Sequence, residues 1–136
     1  MLEYNITLTN KVTKKLKALG NPNWSKPLKQ SAAYMERITL SRFAKEIDPD
    51  GKKWTPLKPE TIRRKKSGVI LREKSILINA TSSRIVGDTA YIENPTSYGI
   101  FHQRGTQTLP RRQFLGFGRR DIARINQFFR EYVKSL

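Results

Sequence analysis

The chain contains no cysteine among its 136 residues. Disulfides, thiolate metal sites and a cysteine nucleophile are thereby excluded. It has one histidine, His102, and only 11 acidic residues, scattered along the sequence as Glu3, Glu36, Glu46, Asp88, Glu93 and others. Such scatter offers no carboxylate cluster of the kind a metal-dependent nuclease uses. No run of 18 apolar residues occurs, so no membrane-spanning segment and no membrane partner are expected. Met1-Leu2-Glu3-Tyr4 lacks the charged-then-apolar layout of a signal peptide, so the protein is expected to work where it is made. Internal repeats and low-complexity tracts are also missing.

Positive charge is what the sequence has in excess. Lys and Arg number 27 against 11 Asp and Glu, a formal net charge of +16. The composition is 37% hydrophobic and 10% aromatic, enough for a core, and residues 1–136 are expected to form one domain. A folded domain this basic implies an electronegative partner: nucleic acid, an acidic protein ring or an anionic membrane. Between Lys52 and Lys74 nine basic residues stand against two acids, with Arg63-Arg64-Lys65-Lys66 at the centre. Arg104, Arg111, Arg112, Arg119, Arg120 and Arg124 make a second cluster. A solvated face is the ordinary explanation of four adjacent charges, but this density exceeds what solubility requires. No helix-turn-helix, zinc-finger or RNA-recognition pattern accompanies it, so base-specific readout is unsupported.

Leu2, Tyr4, Ile6 and Leu8 alternate with polar residues, the period of a strand with one buried face. A short helix is expected from Thr9 or Asn10 to Leu19, ending at Gly20. Ser25 is read as the N-cap of a longer helix with Pro27 in its first turn. Its apolar stripe is Leu28, Ala32, Met35, Ile38, Thr39, Phe43 and Ile47. From Asp48 to Pro59 three prolines and a glycine exclude long regular structure, and Pro59 opens a brief helix to Lys66. Ser75 to Ile78 fits either a helix or a strand. Two β-rich runs around Gly87-Asp88 predict a hairpin. A closing helix from about Arg119 carries Ile122, Ile125, Phe129, Tyr132, Val133 and Leu136 on one stripe. The sum is an α+β fold: a small antiparallel sheet, made by the N-terminal strand plus the hairpin, packed with two or three helices and carrying long irregular projecting loops.

The candidate chemistry is sparse. His102 has no nucleophile or carboxylate at triad spacing, so a packing role is expected and no catalytic residue is assigned. Asp48-Pro49-Asp50-Gly51 begins like a calcium loop. The later ligand positions hold Lys52, Lys53 and Pro59, so the reading is a tight turn in which the aspartate caps backbone N–H groups. No metal or cofactor is expected. Trp54, between Pro49 and Pro56 with Leu57 behind, suits a plug that pins its loop, or else an interface anchor. Phe114 and Leu115, framed by arginines, suit a subunit interface.

The order Phe43, Asp48-Pro49-Asp50-Gly51, Trp54, Pro56-Leu57, Thr61, Lys65 resembles the phage virion morphogenesis family, the tail-completion proteins of Mu-like phages. A second block matches it too: Tyr98, His102-Gln103, Gly105, then Pro110, Arg112, Phe114-Leu115-Gly116. Leu71 to Leu77 departs from the family's pattern by lacking its Thr-Gly pair. The match covers about two-thirds of the chain, from near Ser25 to the end. The resemblance implies a non-enzymatic virion component of the neck or upper tail, assembled in the host cytoplasm, that completes the tail or joins it to the head. It also implies a ring of this chain, sixfold to match the tail tube. Neighbouring neck and tail-tube proteins, and the end of the packaged DNA, are then the expected partners. The interface candidates are Trp54, Pro56, Leu57, Arg63, Arg64, Lys65, Lys66, His102, Gln103, Arg111, Arg112, Phe114 and Leu115. The alternatives are a stand-alone basic nucleic-acid-binding module and, less suited to the acids present, a small nuclease.

Overall fold

The computed structural model describes residues 2–7, 23–65, 76–96 and 99–135. The elements are β1 (Leu2–Thr7), α1 (Ser25–Lys45), α2 (Pro59–Lys65), α3 (Ile76–Asn79), β2 (Ser82–Val86), β3 (Thr89–Asn94), α4 (Gly99–Arg104) and α5 (Arg119–Lys134). The fold is α+β, with a three-stranded antiparallel sheet in the order β1-β3-β2. The helix expected over Thr9–Leu19, the conformation of 68–75 and the arginine–lysine run's last member Lys66 lie outside the described residues, as do Tyr98 and Leu136.

The strand alternation sets the register. Leu2, Tyr4 and Ile6 stand opposite Asn94, Ile92 and Ala90, and the hairpin pairs Ser82 with Glu93 through to Val86 with Thr89. Ala90, Ile92 and Asn94 are buried against the helical layer, and β3 is therefore the central strand in burial as well as in order. The hairpin turns at Gly87, whose φ of 61° is cheap only for glycine. On the outer side of the sheet Arg84 reaches Glu3 at 3.1 Å and Glu93 at 3.2 Å, and its guanidinium lies 4.1 Å from the Tyr91 ring centroid.

α1 is the spine. Pro27, Leu28, Ser31, Ala32, Met35, Thr39, Arg42 and Phe43 are its buried residues. Ser25 is the first helical residue rather than the cap; Asn23 Oδ1 accepts from Ser25 N–H at 3.0 Å and from Ser25 Oγ at 2.8 Å, which does the capping from two residues upstream. The helix also ends before Ile47. Glu46 takes the left-handed conformation (φ 56°, ψ 49°), and Ile47 pairs instead with Lys53 in an isolated bridge.

α5 runs antiparallel to α1 but is rotated from the expected stripe. Asp121, Ile125 and Phe128 are buried, while Ile122 and Val133 are exposed. The cause is Asp121: the backbone N–H of Gly118 donates to its Oδ2 at 2.8 Å, and the same oxygen is bound by buried Arg42. Burying a paired carboxylate turns that face of the helix inward. The segment left open between helix and strand forms a short helix, α3, with Leu77 and Ile78 in the core.

Candidate interaction surface

The two irregular segments, 46–58 and 105–118, do not stand apart. Asp48 Oδ1 accepts from the backbone N–H groups of Asp50 and Lys52, each at 2.9 Å, and Gly51 closes the turn at φ 87°. This is the capped turn read from the sequence. Trp54 N–H donates to the Glu46 carbonyl at 2.8 Å, which aims the indole inward. There Trp54 meets Phe43 edge-on (5.7 Å between centroids), and Phe43 meets Phe114 at 5.3 Å. Three aromatic rings, one from α1 and one from each segment, thus form a single stack.

Polar contacts lock the same seam. Trp54 Nε1 donates to the Gln113 carbonyl at 2.8 Å. Arg112 donates from Nε to the Thr55 carbonyl (2.9 Å) and from Nη2 to the Pro56 carbonyl (3.3 Å). Burial pushes the guanidinium's pKa down from its ordinary value, against the nearby Glu46 carboxylate, which acts to raise it. Gln103 from α4 reads the other side: its Oε1 accepts from the backbone N–H groups of Phe114 and Leu115, both at 3.1 Å, and its Nε2 donates to the Leu115 carbonyl. The Arg112 backbone N–H donates to the His102 carbonyl at 2.7 Å.

These contacts correct part of the expected interface. Trp54, Gln103, Arg112, Phe114 and Leu115 are buried inside the subunit, so their side chains fasten the two segments to the core and offer no outer surface. For Trp54 the plug is the role the structure supports. Leu57 and His102 are half-buried, and Pro56, Arg63 and Arg111 are exposed. Arg64 and Lys65 are placed only as members of α2. What projects is therefore the tips: Asp50–Lys53 on one side and Thr106–Thr108 on the other, with exposed Phe101 and Arg104 on adjoining α4.

The Asp48–Gly51 turn stands between two open grooves. One, of about 860 Å³, has Tyr34, Lys45, Arg119 and Arg120 in its lining; the other, of about 550 Å³, has Lys52, Lys53, Trp54 and Arg111. Among the described residues no three His, Asp or Glu side chains are gathered to hold a metal ion. Among the same residues no helix is long and apolar enough to cross a membrane.

A Pro-bounded, Trp-plugged loop locked to a Pro-x-Arg-x-Phe-Leu-Gly segment is the arrangement that both sequence blocks build. The family model for phage virion morphogenesis matches residues 5–134. The chain belongs to the phage virion morphogenesis family. Its role is accordingly in building the virion, and membership points to a structural, virion-associated protein. No curated protein and no solved structure matches this family member significantly.

The sequence reading missed the buried pair Arg42–Asp121, although Arg42 lies on the apolar stripe at i+3 from Thr39, where a cation requires a partner. It also missed the reach of Gln103, whose carboxamide is long enough to serve two N–H groups and a carbonyl at once.

Proposed function

We propose that this chain is a non-enzymatic subunit of the head–tail junction, a tail-completion, terminator or neck component that closes into a ring, sixfold to match the tail tube, and joins tail to head. The observation that carries this is the family match over residues 5–134. The build of the segments supports it. A ring needs a heterologous contact, one patch that protrudes and another that receives. The tips Asp50–Lys53 and Thr106–Thr108 are fixed in direction by the Trp54–Phe43–Phe114 cluster, and Phe101, on the helix that leads into the second tip, offers a large apolar side chain, 52% exposed. Preorganised tips with an apolar anchor and a charged rim are the makings of a protein contact. Pro56, Leu57, Arg63 and Arg111 complete the contact, and Arg64, Lys65 and Lys66 remain candidates for it from the sequence. The neighbours would be neck and tail-tube proteins at the upper end of the tail, with the packaged DNA end within reach.

Mass photometry and negative-stain images of the purified protein, alone and with purified tails, test this. The wild-type chain should appear as a closed ring capping one end of the tail tube. Phe101→Asp should keep a wild-type circular dichroism spectrum yet fail to cap. A chain that stays monomeric and leaves tails uncapped would contradict the proposal.

A further inference from the structure

We infer that the outer face shared by α1 and α5 is a track for the phosphate backbone of duplex DNA, distinct from the loop tips. The helices are antiparallel: Trp24 meets Tyr132, and Tyr34 meets Phe128, with centroid separations of 6.2 and 6.1 Å. On the outer side of that seam Arg37 lies over the Tyr34 ring at 5.6 Å, and Arg124 lies over the Phe128 ring at 4.6 Å. Cation, ring, ring and cation thus bridge the two helices and hold both guanidiniums on one face.

Further cations extend the face at both ends. Lys45, Arg119 and Arg120 line the groove that includes Tyr34, and Lys26 and Lys29 line another, of about 500 Å³, with Tyr132. All seven cations are exposed, and among the described residues none of them is in an ion pair. Asp48 and Asp50 line the first groove, Asp48 being engaged in capping its own turn, and Glu131 lies further along α5 bound to Gln127. The face stays strongly positive despite them. From Lys26 to Lys45, helix rise gives a track of roughly 28 Å, about eight base pairs of duplex.

The make-up of the track favours duplex DNA over an acidic protein. Protein contacts are anchored by exposed apolar groups. The three most exposed large apolar residues, Val86, Phe101 and Ile122, sit on the hairpin, on α4 and on the flank of α5 turned away from Arg120 and Arg124, and the outer side of α1 carries one less exposed, Leu40. A single strand would need free rings for stacking. Phe128 is buried, and the half-buried Tyr34 ring already carries Arg37 over it. Guanidinium and ammonium groups that are in no ion pair among the described residues suit phosphates and carry no base code.

The test needs no ring, so its failure would leave the assembly proposal standing, and failure of capping by Phe101→Asp would not bear on it. Binding of the full chain to a fluorescein-labelled 20-base-pair duplex is measured by anisotropy between 50 and 200 mM NaCl. Arg37→Gln with Arg124→Gln should flatten the log–log salt dependence by about 2 and weaken binding at 100 mM by at least roughly tenfold. Lys29→Gln with Arg120→Gln, which leaves the ring contacts intact, should do the same. Lys52→Gln with Lys53→Gln, the same loss of charge off the track, should change affinity less than about threefold. Equal losses from on-track and off-track pairs would overturn the inference, as would absence of binding at 50 mM. Displacement of the duplex by polyglutamate at matched charge would assign the face to an acidic protein and overturn it too.

Discussion

Arg42 of α1 and Asp121 of α5, 79 positions apart, form a buried ion pair that fixes how the closing helix sits on the spine. Both ions make further hydrogen bonds. Arg42 Nη1 donates to the Gly116 carbonyl at 3.1 Å, and Asp121 also accepts from the Tyr34 hydroxyl and the Gly118 N–H. One carboxylate therefore gathers α1, the end of the 105–118 segment and the first turn of α5. Such a pair is worth most as a registration device, because its desolvation offsets much of its attraction.

Removing one ion should accordingly cost far more than the pair contributes. Arg42→Met or Asp121→Leu alone is expected to lose about 3–5 kcal/mol in urea unfolding. The double variant should lose less than the sum of the two by roughly 1–3 kcal/mol. Additive losses would mean that the two residues act independently.

The Trp54–Phe43–Phe114 stack makes a second prediction. Trp54→Ala or Phe114→Ala should destabilise the chain by about 3–5 kcal/mol through the cavity left behind. Any loss of tail capping by these variants would then track their unfolding, followed by circular dichroism. A wild-type melting temperature for Trp54→Ala would show the indole to be free of the core.

Gly118 is required for closeness rather than for its dihedral. A Cβ built there collides with the Pro49 carbonyl oxygen, and the helix cap and the Asp48–Gly51 turn cannot both hold their places. Gly118→Ala should cost at least about 2 kcal/mol. Gly87→Ala, at φ 61° with nothing within 4 Å of the added carbon, should cost only the left-handed strain, about 1 kcal/mol. Equal costs at the two sites would contradict the close approach.

Alkaline pH probes the same helix junction. Burial first, then the hydrogen bond to Asp121, raises the Tyr34 phenol above its ordinary 10.0. A raised folded-state value favours the protonated phenol, so its contribution is complete below pH 10 and is lost as pH rises through the raised value. The stability gap between wild type and Tyr34→Phe should therefore narrow from pH 9 to pH 11 in urea midpoints. A constant or widening gap would contradict that geometry.

What the sequence revealed was local. The alternation from Leu2 and the Gly87-Asp88 turn gave the first strand and the hairpin because both signals are set by neighbours in the chain, whereas the pairing of β1 with β3 joins segments more than eighty residues apart. The cap at Asp48 was readable for the same reason. The inward turn of Phe114, Leu115 and Arg112 was not, because it depends on meeting Trp54, Thr55 and Pro56 from a segment nearly sixty residues earlier. The rotation of α5 was misread because Asp121 counts as polar in a hydrophobic pattern, yet pairing with Arg42 buries it. The basic track escaped notice since its cations come from two helices that are remote in sequence; clusters counted along the chain split it and mixed it with Arg112, which is buried.

Cryo-electron microscopy of the assembled particle at the head–tail junction tests the central claim most directly. This chain should be found as a closed ring at the upper end of the tail, with the tips Asp50–Lys53 and Thr106–Thr108 and the Phe101 side chain against neighbouring protein. Density for the chain elsewhere, or a ring whose tips face open solvent, would contradict the account.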